Sequence, residues 1–149
     1  MRTIVPVLCT LALIGCGKGA VEPAKAPAAA AAKPQFTVVG TNKQIMQAIT
    51  IPSSEVIFGI GDKPPQDDAG WLAVESAAIA LAESGNLMMM PGRAVDTPQW
   101  AGFSRQLTQN SMVALKAAQS RNVDQVLEAG NDVYQVCEDC HKVYLPQPK

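Results

Sequence analysis

Near the C-terminus of this 149-residue chain stand two thiols and an imidazole, in the order Cys137-Glu138-Asp139-Cys140-His141. Residues three and four apart lie on one face of a helix, so both sulfurs and the imidazole would project from the same side. C-x-x-C-H is the spacing of covalent haem attachment. Thioether bonds from Cys137 and Cys140 to the haem vinyls would hold the macrocycle beside the helix, and the imidazole of His141 would meet the iron. His141 is the only histidine of the chain, so no other imidazole competes for that role.

A disulfide, a thioredoxin-like redox pair and half of a zinc site are the other readings of the same residues. Zinc asks for four ligands, commonly in two separated pairs, and after export the chain offers no second Cys or His cluster. A thioredoxin-type pair sits at the start of a helix that follows a strand, whereas this pair lies deep in what reads as a long last helix. The motif together with its setting favours haem.

The other end of the chain says where such chemistry would take place. Met1-Arg2-Thr3 is a short positive start, and residues 4–14 form an apolar run too short to span a bilayer as a mature helix. Residues 1–15 therefore read as a signal peptide. Leu13-Ile14-Gly15-Cys16 resembles the bacterial lipobox, in which the cysteine becomes the lipidated first residue. An ordinary secretory signal with an accidental cysteine is the plainer alternative. By the same resemblance Gly17, standing where an Asp would favour the inner membrane, leans toward an outer-membrane anchor facing the periplasm of a Gram-negative envelope. Of the four cysteines, Cys9 would leave with the signal, Cys16 would carry lipid, and the remaining two are those of the haem motif.

Residues 16–35 hold Cys16 and then Ala, Pro and Lys with almost nothing large and apolar, a composition that reads as a tether. The folded part is residues 36–149, one domain's worth of chain. It carries 8 Lys/Arg against 12 Asp/Glu, a net charge of −4 with His141 neutral. That balance argues against nucleic acid, and against an anionic membrane surface, as partners. The β-branched residues do not alternate with polar ones, so no sheet is expected.

Four helical segments position the motif. The first spans about residues 41–58 with Ile45, Ile49, Pro52 and Val56 at helical spacing, and Pro52 should kink or break it. The second opens at Asp67-Asp68 and carries Trp71, Val74, Ala78 and Leu81 on one face. Gly85-Asn86 could end it, or Leu87 to Met90 could prolong it to the Pro91-Gly92 turn. Asp96-Thr97-Pro98 is a start signal for the third, whose inward face is Trp100, Phe103, Leu107, Ala114 and Ala118. The fourth opens at Asn122, with Gln125 at capping-box spacing. Its stripe of Val126, Gly130, Val133, Cys137, His141 and Tyr144 makes the haem-ligand face also the core face; Pro146 and Pro148 follow its end.

Four amphipathic helices with short connections call for an all-α antiparallel four-helix bundle. With C-x-x-C-H on the last helix, residues 41–145 resemble the class II c-type cytochromes, the cytochrome c′ group and its low-spin relatives. The motif is the specific part of that likeness. Members commonly continue with an aromatic and a basic residue; Tyr144 supplies the aromatic, but Leu145 replaces the basic one. Lys142 is near in sequence but is expected on another part of the helix surface.

The resemblance implies that the sixth iron ligand comes from the first helix. A Met there gives a low-spin electron carrier, and an apolar residue leaves the iron open to NO or CO. Met46 falls at about that place, although a Met at helical spacing is commonly a core residue. Met88, Met89, Met90 and Met112 read as packing residues, with a ligand on the second helix as an alternative. The expected function is a mono-haem electron carrier with haem c iron held by His141 and Met46, working with redox partner proteins and pairing into a homodimer as an open possibility. Gas binding at a five-coordinate haem is the second reading. A haem-free envelope lipoprotein that packs or binds partners is the third, and an enzyme in the usual sense is not expected.

Overall fold

A computed structural model describes residues 36–95 and 98–145. The expectations for the signal 1–15, Cys16, the tether 16–35, the Asp96-Thr97 cap and prolines 146 and 148 lie outside the described residues. Within them the chain is all helical, without strands, and four helices pack on one another. No helix among the described residues is long and apolar enough to cross a membrane.

The first helix is composite. Its opening α1 (Asn42–Ile45) is held by a reciprocal cap, in which the Thr41 hydroxyl accepts from the Gln44 N–H at 3.3 Å and the Gln44 side chain accepts from the Thr41 N–H at 2.9 Å. The chain then widens into a π turn, Met46–Thr50, closed by the N–H of Ile51 donating to the Met46 carbonyl. It continues as α2 (Ile51–Phe58) and ends in a 3₁₀ turn, Gly59–Gly61. Pro52 explains the widening. A proline has no N–H and its ring presses on the carbonyl four residues back; the wider turn puts Pro52 in the first turn of a new α segment, where no N–H is required.

Pro52 therefore does not break the helix, but it changes which side faces inward. Ile45 and Ile49 are partly buried as expected, whereas Pro52 and Val56 are exposed. The inward positions beyond the π turn are Ser53, Ser54 and Ile57. One extra residue in a turn advances the face by about 100°, so a stripe extrapolated at constant period lands one position out.

The second helix, α3 (Asp68–Met88), starts with the Asp67 carboxylate accepting from the Gly70 N–H at 2.8 Å. It runs through Gly85 without a break. A Cβ there would meet the Thr108 hydroxyl and would lie 2.7 Å from the Ser104 carbonyl of the third helix, so this glycine marks a close helix crossing. The turn comes later, with Gly92 at φ +89°. The third helix, α4 (Pro98–Gln119), begins with proline as its first residue. Between it and α5 (Val123–Tyr144) the chain folds back tightly, the Arg121 and Asn122 N–H groups donating to the Ala118 and Ala117 carbonyls at 2.9 and 3.1 Å. Arg121 holds the left-handed position, φ 55°, usually given to glycine. The Asn122 side chain then accepts from the Gln125 N–H at 3.0 Å and opens α5.

Neighbouring helices run antiparallel. Trp100 of α4 meets Met88 of α3, while Thr108 of α4 meets Ala82. Between α2 and α5, Phe58 stacks edge-on against Tyr134, and Gly61 beyond α2 lies against Leu127. The core between them is built from Ile57, Ile60, Leu81, Val126 and Val133, each closed to solvent or nearly so, with alanines where helices approach closely. The inward faces expected for α3 and α4 agree with this core, and so does the Val126, Gly130, Val133 part of α5.

Candidate functional site

The last two turns of α5 carry Cys137, Cys140 and His141, all partly buried. They border a cleft of about 570 Å³. Its other walls come from the first helix, through Met46, Thr50 and Ser54, and from α4, through Trp100, Phe103 and Leu107. Met88 at the end of α3 also lines it. The four side chains singled out in the sequence, Cys137, Cys140, His141 and Met46, thus share one cleft although some 90 residues separate Met46 from the others.

An aromatic group fixes the α4 side of the cleft. Tyr144 stands edge-on to Trp100, ring centres 4.9 Å apart, and to Phe103 at 6.4 Å. The Trp100 indole N–H donates to the Met88 carbonyl at 2.8 Å, joining the start of α4 to the end of α3. Arg93, buried beyond the end of α3, anchors the Met46 side. Its Nε donates to the Gly40 carbonyl at 3.0 Å and its Nη1 to the Leu87 carbonyl at 3.2 Å. The Asn42 side chain returns the bond, donating to the Arg93 carbonyl at 2.9 Å. The element that bears Met46 is thereby tied to the end of α3.

The thiols are free and not joined in a disulfide. Burial raises the pKa of Cys137, and burial followed by the nearness of Cys137 raises Cys140 to about 11 from an ordinary 9.0. Both are neutral thiols at physiological pH, the reverse of the lowered pKa that makes a thioredoxin-type cysteine reactive. Charges gather at the rim. Lys142 donates to Asp139 at 3.0 Å and lies 3.9 Å from Glu138, and its hydrogen bond, with that of Gln135, lowers the Asp139 pKa. The expectation that Lys142 sits on another part of the helix is corrected here: it lines the cleft together with Leu145. Positions 142 and 145 are three apart and so share a side of the helix.

Among the described residues no group of three His, Cys, Asp or Glu side chains is placed to hold a metal ion. An iron whose equatorial ligands come from a porphyrin asks the protein for only one or two axial ligands. An imidazole and a thioether in a mainly apolar cleft, within the size range of cofactor sites at about 300–1,000 Å³, match that demand. Two thiols on the same face suit covalent attachment.

Sequence periodicity did not single out Thr50, Ser54, Ser104 or Met88 as cleft residues. Thr50 and Ser54 lie off the expected stripe of Ile45, Ile49, Pro52 and Val56, and Ser104 stands beside the expected Phe103, so the sequence carried no signal for the first three. No family model, curated protein or solved structure matches the chain.

Proposed function

We propose that the domain holds one covalently attached haem and carries electrons through an iron ligated by His141 and Met46. The observation that supports this best is the single cleft bordered by both thiols, the only imidazole of the chain and a thioether from the first helix. Bound there, haem supplies a one-electron Fe(III)/Fe(II) couple. Cys137 and Cys140 would hold it through thioether bonds, and His141 and Met46 would ligate its iron. The Met46 thioether, a soft ligand, favours the ferrous state. Leu107, Phe103 and Trp100 make the α4 wall of the cleft apolar, which would also favour the less charged reduced iron.

By its N-terminal sequence the protein is a Cys16-anchored lipoprotein of the periplasm, exchanging electrons with redox partner proteins. Haem staining after denaturing electrophoresis tests the central assignment, since only covalently bound haem survives. The native chain should stain, the double change Cys137→Ser, Cys140→Ser should not, and an unstained native chain from haem-competent cells rejects the reading. Cys16→Ser should move the stained protein from the membrane fraction to the soluble periplasm.

A further inference from the structure

Thr50 closes the π turn of the first helix and lines the cleft one turn beyond Met46. Its side chain is more than nine-tenths buried, and its hydroxyl oxygen has no hydrogen-bond partner in the protein. Three other buried hydroxyls give their proton back along the helix. Ser54 donates to the Ile51 carbonyl at 2.9 Å, Ser84 to Leu81 at 2.7 Å, and Ser111 to Leu107 at 2.7 Å. The carbonyl four residues before Thr50 belongs to Met46, and the π turn assigns that carbonyl to the Ile51 N–H. The Thr50 hydroxyl makes no bond to it.

Leaving a buried hydroxyl unpaired is unfavourable, so an acceptor is expected where the side chain can reach. Thr50 lines the cleft, so an acceptor taken up there would lie on the side of the helix where this residue sits. The surroundings are apolar, with Met88, Leu107 and Ile51 on the walls, which disfavours a charged acceptor. We propose that Thr50 is a distal hydrogen-bond donor to a small neutral ligand of the NO or CO class, taken up on the Met46 side of the cleft. This rests on the haem reading above and adds to it a second property, ligand capture when the Met46 thioether is away. Hydrogen-bond donors on the distal side are among the features that decide whether a haem site holds such ligands.

The test uses holoprotein in which Met46→Leu opens the site, with Thr50 retained, changed to Val, or changed to Ser. Each is reduced and saturated with CO; the infrared C–O stretch and the CO dissociation rate are measured. Val keeps the shape and removes the hydroxyl. It should shift the stretch to higher frequency and speed dissociation about 2- to 10-fold, the range of one neutral hydrogen bond. Ser should behave as Thr. Should Val prove too disruptive to yield holoprotein, Thr50→Ala gives the same comparison with less demand on space. Stained, haem-bearing variants whose stretch and rate ignore the hydroxyl overturn the Thr50 proposal and leave the proposed electron carrier intact. A chain that never acquires covalent haem overturns both.

Discussion

The indole N–H of Trp100 donates to the main-chain carbonyl of Met88 at 2.8 Å, so the first turn of α4 is fastened to the last residue of α3 beside the cleft. Trp100 is also buried and meets Tyr144 edge-on. Trp100→Phe should keep much of the ring contact and lose the donor. Leaving a buried acceptor short of its partner costs about 1–3 kcal/mol, a loss to be read from urea unfolding midpoints with unchanged slope. A variant as stable as the native chain would mean that this bond contributes nothing net.

Met46→Leu separates an iron ligand from a packing residue. The exchange nearly conserves volume, so stability should fall by less than about 1.5 kcal/mol. The optical spectrum should change far more. The native holoprotein should be low-spin with a weak sulfur-to-iron charge-transfer band in the ferric form; the Leu variant should lose the band, become high-spin, fall in reduction potential and bind CO readily. A native protein already high-spin and quick to take up CO would move the assignment from electron carrier to gas binder.

The buried thiols predict a pH effect confined to chain without haem. Cys140 is held near 11 in the folded state against 9.0 ordinarily, and the Cys137 pKa is also raised. Because the folded state prefers the neutral thiol, its contribution is fully present below pH 9 and is lost as pH climbs toward 11. Melting temperatures of haem-free protein should decline through that window, and those of the double Ser variant should decline less. Alkylation of the native thiols at neutral pH should be slow for the same reason.

Arg121 occupies a left-handed position at φ 55° and forms an exposed ion pair with Asp68 at 2.6 Å. The strained backbone outweighs an exposed pair of this kind, which contributes about 0–1 kcal/mol. Arg121→Ala removes the pair and keeps the strain, whereas Arg121→Gly removes both. The Gly variant should be more stable than the Ala variant by about 1 kcal/mol in chemical denaturation. Equal stability would show that the turn, and not the residue, absorbs the strain.

Much of the bundle was legible because three of its helices keep a constant period. Trp71, Val74 and Leu81 on α3, and Leu107, Ala114 and Ala118 on α4, face the core as their spacing requires. Pro52 was recognised as a disturbance but not as a cause of widening, so the positions beyond it were assigned to the wrong side. A local sequence cannot say whether a proline will break, kink or broaden a turn; the packing of Ile57 beside Gly130 decides that. Gly85 was ambiguous for a similar reason, its role being set by Ser104 and Thr108 on another helix. In the cleft, Cys137, Cys140 and His141 could be read from one short motif. Thr50 could not, and Met88 could not be told from Met89 and Met90, because membership depends on contacts between segments far apart in the chain.

The π turn also sets how the walls of the cleft breathe. Pro52 contributes no exchangeable amide, and the widened turn interrupts the regular ladder between Ile45 and Ile51. Local opening is easiest where backbone bonds are fewest and apolar burial is least, and of the five residues Met46–Thr50 only Thr50 is buried. The α5 wall, by contrast, is one uninterrupted helix of 22 residues. Amide protons around Met46 should therefore exchange with deuterium well ahead of those around Cys137. The cleft then has one steady side, which bears Cys137 and Cys140, and one side that opens more easily, which bears Met46.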